Sequence, residues 1–209
     1  MKTLPIITSL ALAATIAASS AVADEASALA VLASDANTEQ KVQACNELAV
    51  VGTAKAVPAL AKLLADEQLN DYARTSLEVI KDPSAGQALL AALPNLKGRL
   101  LAGAVTSLGY CGDPAAVPAL QKLAADPAGE AAEQALTSLA MIGGDEAVKT
   151  IIAVLKDGPA KCKVCAAHAA LLGAERMKKA GKSPAALLDA IAAAEVPAHI
   201  KEAAAAMKG

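Results

Sequence analysis

The sequence has no tryptophan, no phenylalanine and only two tyrosines in 209 residues. A core without large aromatics must be filled by Leu, Ile, Val and Ala. That suits closely packed helices and suits strands poorly, because strands favour β-branched and aromatic residues. The same lack removes the flat faces on which nucleobases and many sugars stack. Neither sign of charge prevails: 19 basic residues against 21 acidic ones leave a net charge of −2. The basic footprint of a nucleic-acid-binding protein is therefore missing. There are two histidines, His168 and His199, and no Ser–His–Asp order, glycine-rich phosphate loop or close carboxylate pair. The sequence gives no motif for catalysis, for a cofactor or for a resident metal.

The N-terminus is different in character. Lys2 precedes an apolar run over Leu4–Ala18, and Ala21-Val22-Ala23 form a small-x-small cleavage pattern ahead of Asp24. This reads as a signal peptide over residues 1–23 and a mature chain over 24–209. The run is short for a membrane span. The first cysteine is Cys45, so no lipid-bearing cysteine stands at the cut. The expected mature protein is exported, periplasmic or extracellular, with no membrane insertion after cleavage.

What the mature chain does have is a repeated pentapeptide. Ala73-Arg74-Thr75-Ser76-Leu77 returns as Ala104-Val105-Thr106-Ser107-Leu108 and again as Ala135-Leu136-Thr137-Ser138-Leu139, with leucines 31 residues apart each time. A fixed step of this kind marks a stacked repeat array. Alanine and leucine four apart share one helix face; the alanine admits a neighbouring helix and the leucine fills the space beside it. Weaker copies of the frame are Ala44/Leu48 upstream and Ala167/Leu171 downstream. Asp82-Pro83 and Asp113-Pro114 read as helix N-caps with proline just inside, and Asp145 holds a similar place. Twelve helical segments result, in six pairs, ending with Ala198–Lys208.

Ala56-Val57-Pro58-Ala59-Leu60 and Ala116-Val117-Pro118-Ala119-Leu120, each followed by a turn and an Ala-x-x-x-Leu helix, resemble the HEAT repeat. The short step is similar to that of the HEAT-like repeats named after phycobilisome lyases. The resemblance implies an all-α, right-handed solenoid whose second helices line a concave side. It also implies that the chain is chiefly a binding scaffold. HEAT-like enzymes that bind iron through several His-Glu dipeptides are not matched, since there is no such dipeptide here.

The cysteines carry the remaining chemistry. Cys162 and Cys165 are three apart, with His168 three further on. Haem attachment requires histidine directly after the second cysteine, and Ala166 stands there. A single helix spreads Cys162 and His168 about 9 Å along its axis, too far for one zinc ion. A disulfide between Cys162 and Cys165, reduced thiols, and a redox or metal role stay open. Export favours the disulfide. Counted from Leu171, both fall on a largely solvated stripe, and His168 falls beside the core. The helix start near Pro159 is expected to lower a thiol pKa. Cys45 reads as a small buried hydrophobe. It lies two repeats from Cys111, about 20 Å at the usual helix spacing, so those two are not expected to bond.

A partner-binding stripe is expected at two and five positions before each stacking leucine: Gln43, Asn46, Tyr72, Thr75, Thr106, Gln134 and Thr137, with Tyr72 as anchor. The expected function is a non-catalytic protein–protein scaffold or adaptor in the cell envelope. The alternative is a redox, cofactor-handling or chromophore-lyase-like protein using Cys162 and Cys165.

Overall fold

A computed structural model describes residues 24–126 and 129–208. The signal peptide expected over residues 1–23 lies outside the described residues. The described chain forms α1 (Glu25–Ala33), α2 (Thr38–Val51), α3 (Val57–Ala61), α4 (Asn70–Val79), α5 (Pro83–Ala92), α6 (Gly98–Cys111), α7 (Val117–Ala124), α8 (Ala132–Ile142), α9 (Asp145–Asp157), α10 (Ala160–Lys179), α11 (Ala185–Ala193) and α12 (Ala198–Ala206). No strand occurs among the described residues. The fold is an α-solenoid of six helix pairs. The even-numbered helices pack along their lengths, α2 on α4, α4 on α6, α6 on α8 and α8 on α10. The odd-numbered helices meet more sparsely, and α5 and α7 barely touch. The even helices thus form the more continuous layer of the array.

The pentapeptide does what its spacing predicts. Ala44, Ala73, Ala104 and Ala135, with Leu48, Leu77, Leu108 and Leu139, are all at most 2 % exposed. Each buried leucine stabilises the stack by roughly 1.5–3 kcal/mol. The serines of the repeat are buried as well, and two of them tie neighbouring repeats. Ser76 Oγ donates to the Cys45 carbonyl at 2.7 Å, and Ser138 Oγ donates to the Val105 carbonyl at 2.9 Å. Ser107 departs from this ladder and donates to the Glu78 carboxylate instead. At Gly109 an added Cβ would lie 2.9 Å from the Ser138 Cα. The absence of a side chain there sets the close approach of α6 and α8.

The predicted caps hold at two places. Asp82 accepts from the Ser84 N–H at 2.9 Å, and Asp113 accepts from the Ala115 N–H at 2.9 Å. The Ser84 hydroxyl, donating to Asp82 at 2.5 Å, and then the Ser84 N–H hold the Asp82 carboxyl below the usual carboxylate range. Asp145 is no cap: it opens α9 from inside, after Gly143 and Gly144, whose φ values of 75° and 86° suit only glycine. The first helix of the second pair, α3, is also short, five residues over Val57–Ala61. Its ends tighten into i→i+3 bonds, such as Ala56 N–H to Thr53 O and Leu63 N–H to Leu60 O. Among described side chains, Asn70 carries the one buried polar atom without a hydrogen-bond partner, its Oδ1.

Candidate functional site

At 100° per residue, positions five before, two before and two after the stacking leucine lie within about 60° of one another, opposite the core. The first two sets are the expected stripe. Gln43, Asn46, Tyr72 and Thr75 are exposed, while Thr106, Gln134 and Thr137 are half-buried. Thr75 and Thr106 donate their hydroxyls to the Asp71 and Ala102 carbonyls of their own helices, which leaves oxygen lone pairs facing outward. Gln43 is engaged with Glu47 at 3.1 Å.

The third set was missed by the sequence reading. Val50, Val79 and Tyr110 each follow a stacking leucine by two, and they are 82 %, 49 % and 62 % exposed. With Tyr72 they make up the exposed large hydrophobic residues of the described chain. The next repeat puts Met141 in the row. The signal was positional: Val79, Tyr110 and Met141 recur at the 31-residue step but share no residue type.

In α10 the frame differs from the one expected. One further step from Ala135 and Leu139 lands on Ala166 and Ala170, both fully buried, whereas Leu171 is half-buried. The stacking position of α10 is therefore an alanine, one residue before Leu171. That single-residue shift turns the reading of the helix by 100°. Cys162 then aligns with Leu69, Leu100 and Ala131 and is core, at 8 % exposed. His168 aligns with Thr137 and is exposed, not packed beside the core. Cys165 aligns with Gln134, at the edge of the binding face.

Two grooves open at the C-terminal ends of the even helices. One, of about 480 Å³, lies between the α4–α5 turn and the end of α6. Glu78, Asp82, Asp113 and Lys81 give it mostly acidic walls, and Tyr110 and Cys111 line it. The other, of about 510 Å³, lies two repeats on, between the α8–α9 turn, the end of α10 and α11. Arg176, Lys179 and Lys182 give it a basic rim. At the N-terminal ends of the even helices the repeats are instead pinned together. Thr38 bonds Gln68 at 3.1 Å, Arg99 reaches Glu67 and Asp71 at 2.9 and 3.0 Å, and Gly98 N–H meets Glu130. Arg74 adds a cluster on the face itself. It pairs with Asp71 at 3.0 Å and Glu78 at 3.5 Å, and its guanidinium lies over Gly103, where a Cβ would be 2.8 Å from Nε.

Residues 86–172 match the HEAT repeats family. The matched stretch runs from α5 into α10 and includes the tight Gly109–Ser138 crossing. HEAT repeats generally mediate contacts between proteins, which fits an exposed row on the layer of even helices. No curated protein matches the chain.

All four cysteines, Cys162 and Cys165 included, are free thiols in the structure. The expected low thiol pKa is corrected. Burial, the Glu133 carboxylate and Cys162 all push the Cys165 thiol upward. They outweigh the Lys161 charge, which pulls the other way. Burial also raises Cys45 to about 11, and Cys111 to about 11 with added push from Glu78 and Asp113. Among the described residues no group of His, Cys, Asp and Glu is arranged to hold a metal ion. No helix among them is long and apolar enough to cross a membrane.

Proposed function

We propose that the protein is a non-catalytic scaffold that binds a protein partner along the concave face of its even helices, in the cell envelope after loss of residues 1–23. The observation that carries this reading is the row Val50, Val79 and Tyr110, joined by Tyr72. Exposed large apolar side chains gathered in one line on one face mark an interaction surface more than scattered ones do. Aromatic residues at its centre are the usual anchors of such surfaces. The threonines flanking them offer acceptor oxygens to a partner's donors. The redox alternative gains no support from a Cys165 thiol whose pKa is raised rather than lowered.

The test is site-specific photo-crosslinking in the native host. A crosslinker at Tyr72 or Tyr110 is expected to trap one discrete protein, and one at the outward-facing Lys149 of α9 is expected to trap none. Equal trapping at all three positions would sink the assignment of the face. Export is tested by sequencing the mature N-terminus, expected at Asp24.

A further inference from the structure

The groove between α8, α9, α10 and α11 is built unlike its counterpart two repeats earlier. Its volume of about 510 Å³ lies within the ~300–1,000 Å³ of small-molecule sites. Its walls are aliphatic, from Ile142, Val148 and Leu187, with the flexible thioethers Met141 and Met177. No aromatic ring lines it, so a stacking ligand finds no partner, whereas thioethers mould themselves to a chain.

Charge sets the other end of the ligand. Helix α10 has 20 residues against 14 in α6, and the extra turns overhang the groove with Arg176 and Lys179. Lys182 follows after the turn at Gly181. Lys179 is paired with Glu175 at 2.7 Å. Arg176 and Lys182 are exposed, and neither has a carboxylate partner among the described residues. Asp145 is the single acid on this rim. The counterpart groove carries Glu78, Asp82 and Asp113 in the same neighbourhood. The cationic rim is thus a property of this repeat rather than of the architecture. The floor includes Gly143 and Gly144, with no atom within 4 Å of a Cβ built on either. Nothing from the backbone turn closes the mouth.

We propose that this groove binds an aliphatic carboxylate, with its chain against Met141, Ile142, Val148 and Met177 and its head between Arg176 and Lys182. The proposal rests on the groove's own lining, of which Met141 alone belongs also to the apolar row. Calorimetric titration with monomeric decanoate tests it, alongside decanol, which keeps the chain, and acetate, which keeps the head. Decanoate is expected to bind once per chain, and the other two at least about tenfold more weakly. Arg176→Ala with Lys182→Ala is expected to weaken decanoate about tenfold or more and leave decanol unchanged. Both residues are exposed and unpaired, so the variant should melt as the parent does; if it does not, the Gln pair at the same positions gives the same readout. Decanol binding as tightly as decanoate overturns the proposal, as does a double variant of unchanged affinity. So does binding to phosphatidylglycerol vesicles with none to the monomeric acid, which would make the rim a surface charge patch only.

Discussion

In the middle of the array the buried corner of each even helix is an alanine and a leucine; in α10 it is two alanines, Ala166 and Ala170. The leucine's volume is restored from elsewhere. Leu187 of α11 reaches within 3.1 Å of where a Cβ on Gly173 would stand, and with Leu188 and Ile191 it is fully buried. In α4, α6 and α8 the even helix fills its own corner. In α10 the following helix fills it, and the glycine and alanines of α10 give way. A repeat is thus defined by the position that must be filled, and the residue that fills it can come from either layer.

Substitutions at the two corners sharpen the contrast. Leu108→Ala leaves a cavity that no neighbour fills and should cost about 2–5 kcal/mol in denaturant melts. Ala170→Leu restores the repeat consensus but meets a corner already occupied. It should cost about 1–3 kcal/mol by overpacking; a gain in stability would show that α10 is an ordinary repeat after all. Next come two glycines of α6. Gly109→Ala drives a Cβ against the backbone of Ser138 and should destabilise. Gly103→Ala displaces only the mobile end of Arg74 and removes a helix-interior glycine worth up to about 1 kcal/mol, so its melt should move little or upward. At the small end, Thr106→Ala on the outer face should change stability by under about 0.5 kcal/mol. The shifted frame of α10 has a chemical readout without any change in stability. In reduced native protein, alkylation followed by mass spectrometry should label Cys165 ahead of Cys162 and Cys45; Cys162 reacting first would restore the Leu171 frame.

Much of the fold was legible because it was written in large side chains at fixed intervals. Leu77, Leu108 and Leu139 set the step, and Asp82 and Asp113 set the helix starts. The frame of α10 was ambiguous for a physical reason. With Ala166, Ala167, Ala169 and Ala170 in a row, the pairs Ala166/Ala170 and Ala167/Leu171 satisfy the pattern equally well, and only the distant Leu187 decides between them. The polar part of the outward face was legible because its threonines and glutamines repeat in type. The apolar row was not, because valine, tyrosine and methionine share a place and no chemistry. The thiol pKa went wrong for a related reason: the field of a helix start is visible in sequence, while burial and the Glu133 carboxylate come from packing.

The side-chain pins at the N-terminal ends of the even helices, Thr38 to Gln68 and Arg99 to Glu67 and Asp71, have a mechanical consequence. Each is worth no more than about 1 kcal/mol, yet together they make one margin of the array a spine. Among the described residues the opposite margin has fewer such ties, Glu25 to Thr53 at 2.8 Å and Lys178 to the Met207 carbonyl at 2.8 Å towards its ends, with Ser107 to Glu78 beside the first groove. Between those fastenings lie the two grooves. A body bound along one margin and loose along the other flexes like a book. Anything wedged into a groove changes the angle between successive pages, and with it the spacing of Val50, Val79 and Tyr110. The pitch of the apolar row is therefore an elastic quantity, adjustable from the grooves that Tyr110 and Met141 share with it.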